Sequence, residues 1–178
     1  MTRIVCGALL AACALFLALP GAASARIFLQ LEGIPGESTA VGFENQIELQ
    51  DFGFDVGKSK DKPASFSEFD VAKQLDKASP ELMLRTANGA TIASARIRFT
   101  QPTAEGQVVF LRYCLTGVRI TGFSQSSGGD RPSESVSLNY GTIVQSYTQQ
   151  DPGGGQGTVF SSGWNLINNL QFGGACNN

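Results

Sequence analysis

The 178-residue sequence contains no histidine. That absence excludes a Ser-His-Asp triad, a Cys-His nucleophile and every histidine metal site. Cysteine is nearly as scarce, with four residues at Cys6, Cys13, Cys114 and Cys176. The first two fall in an N-terminal apolar run, so too few remain for a structural zinc site. Charged residues make up 16% of the chain, and the formal net charge of −2 supplies no basic footprint for nucleic acid. Gly153-Gly154-Gly155-Gln156-Gly157 lacks the Gly-Lys-Ser/Thr ending of a phosphate loop and precedes no helix. Glu44, Asp51 and Asp55 do not follow a calcium-loop pattern. Paired carboxylates are the hydrolytic device left, and no spacing among the acids forces two together. The chain reads as a non-enzyme without cofactor or metal.

What is present begins with a leader. Arg3 is a short positive region, Ile4 to Leu19 an apolar run, and Ala23-Ser24-Ala25 a small-residue cleavage site. The expectation is a signal peptide over 1–25, cut before Arg26, and hence a secreted or periplasmic protein. Two competing readings are a lipoprotein signal at Leu10-Ala11-Ala12-Cys13 and a retained anchor, although the run is short for a membrane span. No stable span is expected after cleavage. The remaining 153 residues suffice for one domain, expected over 26–170, followed by a tail over 171–178.

Many glycines, few charges and scattered phenylalanines predict strands joined by tight turns. Arg26 to Leu31 alternates and ends at Gly33-Ile34-Pro35-Gly36, a turn signal twice over. Glu37 to Glu44 reads as a long loop. In Asn45 to Val56 the apolar phase slips near Asp51, which predicts a β-bulge. Further strands are expected at Phe66–Val71, Thr91–Thr100, Gln107–Leu115, Val118–Phe123, Ser135–Tyr147 and Gly157–Trp164. Ser79-Pro80-Glu81 and Asn88-Gly89 bracket the single helix, with Ser79 as its N-cap and Leu82, Met83 and Leu84 packing on a sheet. Eight or so short strands with one short flanking helix imply a mainly β barrel or sandwich.

Two polar features stand out. Cys114 and Cys176 are the only cysteines beyond the leader, and export allows them to pair. The alternative is a buried, inert Cys114 and a loose Cys176. In Asp130-Arg131-Pro132-Ser133-Glu134 an arginine sits between two acids. Asp130, Arg131 and Glu134 are therefore candidates either for bracing their own loop or for a contact with a neighbouring subunit, local bracing being the expected role.

Four segments, read in order, resemble the Hcp family, the haemolysin-coregulated tube proteins of type VI secretion. They are the strand and turn from Ile27 to Ser38, the helix entry from Asp76 to Met83, Ser127 to Tyr140, and Gly163-Trp164-Asn165-Leu166. The resemblance covers about residues 26 to 170. It implies an Hcp-like β-barrel of two sheets with one flanking helix, assembling into a six-membered ring. Stacked rings then form a tube, and type VI effector or spike proteins are the implied partners. The leader departs from that family's pattern. An exported binding protein that keeps the fold outside the tube is the second reading.

Overall fold

In the computed structural model, which describes residues 24–103, 106–150 and 156–176, alternation divides strand β1 (Arg26–Leu31) between two cores. Ile27, Leu29 and Leu31 enter the main one, whereas Phe28 faces the other way and stacks on Phe43 at 4.4 Å. Residues 1–23 of the expected leader over 1–25 and the glycine run at 151–155 lie outside the described residues.

Strand β2 (Ile47–Gly53) pairs antiparallel with β1. The short strands β3 (Val56–Gly57) and β4 (Ser65–Phe66) form a separate hairpin, and β5 (Phe69–Gln74) returns alongside β2. The β2–β5 register shifts between Leu49 and Asp51, the place where the apolar phase slips in sequence. Helix α1 (Ser79–Asn88) follows, with Pro80 in its first turn and Gly89 closing it in the left-handed region.

Ser79 is not the N-cap. That position belongs to Ala78, without a side-chain cap, because the Ser79 hydroxyl is engaged in the barrel interior. Met83 and Leu84 also depart from expectation, since both are about half exposed and only Leu82 is buried. Helical geometry explains it: three consecutive residues fan out over about 200° of the helix and cannot share one face.

Strand β6 (Ile92–Thr103) leads into β7 (Gly106–Ser126), a single 21-residue strand where the sequence predicts two. The apparent break is Gly117, whose φ of 62° turns the strand without ending it. Before that residue, Leu111–Thr116 pairs with β9 (Thr142–Gln150); after it, Arg119–Ser126 pairs with β8 (Ser133–Asn139). The expected single strand from Ser135 to Tyr147 is correspondingly split. Gly141 lies at the split, its N–H donating to the Thr116 carbonyl. Strands β10 (Gln156–Asn165) and β11 (Leu170–Phe172) extend the sheet outward from β9.

The strand order β7-β6-β1-β2-β5-β8 closes on itself through the β7–β8 pairing, giving a six-stranded barrel. Its interior is aromatic: the Phe69 ring lies 4.5 Å from Phe54, 5.2 Å from Tyr113 and 5.4 Å from Tyr140. Among the described residues, no helix is long and apolar enough to cross a membrane.

Candidate functional site

The polar chemistry concentrates where α1 meets the β5–β8 end of the barrel. Phe69, Val71 and Lys73 alternate inward along β5, so the third inward position carries an ammonium. Lys73 is fully buried, and its register partner Glu134 is 2% exposed. Nζ of Lys73 lies 2.5 Å from Glu134 Oε2 and 2.8 Å from Asp76 Oδ1. It also donates to the Gln74 carbonyl at 2.8 Å and to the Ser79 hydroxyl at 3.0 Å. Ser79 donates in turn to Glu134 Oε2, and Gln125 Nε2 donates to Glu134 Oε1. Burial pushes the Glu134 carboxyl up, but the hydrogen bonds from Lys73, Gln125 and Ser79 outweigh it and hold the group below the usual carboxylate range.

Outside this buried network lies the Arg131 loop. The Arg131 Nε donates to the Leu75 carbonyl at 2.5 Å, and Nη2 donates to Glu37 Oε2 at 2.9 Å. The other Glu37 oxygen accepts the Lys77 N–H at 2.9 Å. Glu37 thereby ties the β1–β2 loop to the helix entry and to the Arg131 loop at once. The Arg131 hydrogen bond, opposed by partial desolvation and helped by Lys77, keeps the Glu37 carboxyl below its ordinary value. A polar cavity of about 330 Å³ opens beside them, lined by Glu37, Glu48, Gln50, Gln74, Asp76 and Arg131. Among the described residues, no group of cysteine and carboxylate side chains is placed to hold a metal ion.

The sequence candidates thus separate. Arg131 is braced within its own chain, yet by Glu37 rather than by Asp130 or Glu134. Strand alternation gives the reason, because Glu134 points into the barrel toward Lys73 while Asp130 stays exposed in the loop, its carbonyl accepting from Ser127. Cys114 and Cys176 are joined as a disulfide with Cα atoms 5.5 Å apart. The bond holds the chain end against the outer face of β9, where the Cys176 N–H reaches the Ser146 hydroxyl.

Sequence reading missed Lys73 and Glu37. The first had a signal, a lysine in phase with Phe69 and Val71; the second, 94 residues from Arg131, had none. It also missed an apolar groove of about 250 Å³ between the β3–β4 hairpin and β10, formed by Phe54, Val56, Phe66, Ile143 and Trp164.

A family model described as type VI secretion system effector, Hcp, matches residues 28–147. Protein hcp1 of Pseudomonas aeruginosa is 31% identical over 102 residues, covering 56% of this chain. The matched stretch spans 63% of that relative's length. The crystal structure of Hcp1 from Salmonella typhimurium is 25% identical with a TM-score of 0.74, the match covering 84% of this chain and 99% of that one. A solved type six secretion system protein, also 25% identical, gives a TM-score of 0.77 over 83% of this chain and 99% of its own.

Proposed function

The chain belongs to the Hcp family, and from that membership we propose that it is a ring-forming, non-catalytic structural subunit of a type VI secretion tube. The observation that carries the reading is the family match from Phe28 to Tyr147, which takes in five strands of the closed barrel and most of β1. A head-to-tail ring requires two different patches on each protomer. A closed barrel suits that role, because its wall presents side chains in all directions and leaves few free strand edges for uncontrolled pairing. Six subunits form the ring, rings stack, and the lumen or rim receives effector or spike proteins.

The same reading takes Met1 to Ala25 as an export leader, residues 26–170 as the barrel domain and 171–178 as its tail. A disulfide between Cys114 and Cys176 suits an oxidising compartment and supports export. Native mass measurement on the exported protein tests assembly. A mass six times that of the protomer is expected, and a strictly monomeric species at high concentration overturns the ring. N-terminal sequencing of the same material is expected to begin at Arg26. A start at Met1, or a lipid on Cys13, overturns the leader.

A further inference from the structure

Cys114 stands among arginines. On the outer face of the β6–β7 ladder it is the register partner of Arg96, and Arg112 precedes it by two residues on the same face, opposite Arg98. Direct register puts the Cβ atoms of Arg96 and Cys114 about 5 Å apart. Among the described residues, none of the three arginines makes an ion pair. Arg98 donates to Gln30 and Arg112 to the Thr148 hydroxyl at 3.2 Å, both neutral acceptors, and the Arg112 Nε is buried without a partner. Glu32 shares a small depression with Arg96, but it accepts the Ser94 hydroxyl at 2.9 Å and forms no ion pair there.

The chain covers much of this face itself. Phe28, the β1 partner of Arg98, is buried, as is Ser146, the β9 partner of Arg112. Gly174 of the chain end packs so closely on Val144 that a Cβ would lie 2.9 Å from its methyl carbon. Charges that are partly withdrawn from water act on one another more strongly than in solution. Burial, followed by repulsion from Arg96 and Arg112, accordingly lowers the Arg98 pKa, and burial lowers that of Arg112. On the other side of Cys114 there is no charge, since Val144 is its β9 partner and Gly173 to Cys176 carries none. Cys114 is partly exposed, whereas Cys176 is buried, so the β7 sulfur is the one a small reagent reaches.

A disulfide is neutral and gains nothing from three unpaired guanidinium groups. A Cys114 thiolate would gain from all of them, which favours the reduced state and makes the bond a good target for thiols. We propose that the Cys114–Cys176 bond is a thiol-exchange site through which the chain end is released from β7. A thiolate attacks the Cys114 Sγ, the S–S bond breaks, and its electron pair leaves with Cys176, which takes up a proton. A second thiolate attacks the sulfur just added, and that electron pair leaves on Cys114, beside Arg96 and Arg112. Two thiols are oxidised to one disulfide, the cystine is reduced by two electrons, and the second proton goes to solvent. Residues 173–176 then lose their covalent hold. This chemistry belongs to the single protomer and does not depend on assembly into a ring.

Redox equilibration tests it. The exported, oxidised protein is held at pH 8 in mixtures of reduced and oxidised glutathione, and the reduced fraction is read as the mass added by alkylation. The folded protein is expected to pass from oxidised to reduced within those mixtures, which leave ordinary structural disulfides closed. A protein that stays oxidised in all of them overturns the site. Arg96→Gln is expected to lower the equilibrium constant for reduction at least fivefold, close to the tenfold that one unit of thiol pKa supplies. The difference should vanish as pH falls below the thiol pKa, because a neutral thiol gains nothing from a guanidinium. Arg96→Lys, which keeps the charge, and Lys60→Gln, in the exposed β3–β4 connection, should both stay near wild type. A Gln variant that matches wild type, or one shifted equally at every pH, overturns the role of the arginines. Should Arg96→Gln fail to fold, Arg98→Gln is expected to shift the equilibrium in the same direction. In Cys176→Ala, thiolate absorbance should show Cys114 titrating well below the free-thiol value of about 8.5, and an ordinary value overturns the site. Amide exchange across residues 173–176 should rise on reduction, and unchanged exchange overturns the release.

Discussion

Lys73 and Glu134 face each other across the β5–β8 ladder with both side chains turned into the barrel, Nζ and Oε2 2.5 Å apart. A buried ion pair of this kind contributes little net stability compared with apolar residues, but removing one member is costly. Glu134→Gln is therefore expected to destabilise by about 3 kcal/mol, the low end for a broken buried pair because Asp76 still faces the ammonium. Urea unfolding checks it. The double variant Lys73→Met/Glu134→Leu should recover at least half of the loss, and a double variant as weak as the single would mean the pair is not the cause.

The same pair predicts an acid limit. The Glu134 carboxyl titrates below its ordinary value of 4.5 in the folded chain. Its stabilising contribution is fully present above that value and is lost as pH falls through the lower folded one. Melting temperatures from pH 7 down to pH 3 should fall mainly below pH 4.5, and Glu134→Gln should flatten that decline.

Arg131 and Glu37 are both exposed, so their bond should shape a loop more than it stabilises a fold. Arg131→Ala is expected to leave the melting temperature and particle mass close to wild type. Amide exchange should rise across residues 127–132. NMR titration should find the Glu37 pKa raised toward 4.5, since the guanidinium that depresses it is gone. An unmoved Glu37 would contradict the assignment.

Within α1, Leu82 and Met83 are adjacent in sequence and opposite in environment. Leu82→Ala should cost about 2–5 kcal/mol, because it empties a buried site. Met83→Ala should stay within about 0.5 kcal/mol, as surface substitutions do. Paired denaturation curves separate the two.

Removing the disulfide by Cys114→Ser should lower stability by at most about 4 kcal/mol, the chain-entropy value for a closed loop of 62 residues. Exchange should increase first in residues 173–176, which the bond holds against β9.

Much of this architecture was written in local pattern. Alternation in Arg26–Leu31, the slip at Asp51 and the Pro80–Gly89 bracket each rest on neighbouring residues, and the folded chain keeps them. Element breaks were harder. Gly117 reads as an end because glycine usually punctuates a strand, but β6 runs unbroken beside it from Ile92 to Phe99 and holds β7 continuous. The opposite error at Tyr140-Gly141 arose because buried apolar residues continue across it, from Val136, Leu138 and Tyr140 to Ile143 and Val144. The polar site was less legible still. Arg131 sits between two acids in sequence, whereas its carboxylate comes from Glu37, and only the closed barrel brings them together.

The bond between Cys114 and Cys176 anchors the chain end to β7, the strand that both β8 and β9 share. Tension applied to the two ends of the oxidised chain would bypass the residues between the cysteines, since load passes through sulfur from β7 straight to the terminus. Sixty-odd residues are thereby withheld from extension, a length of about 200 Å at ~3.4 Å per residue. Pulled from its C-terminal side, the oxidised protein cannot be unzipped from β11 inward: the wall of the barrel itself takes the first load.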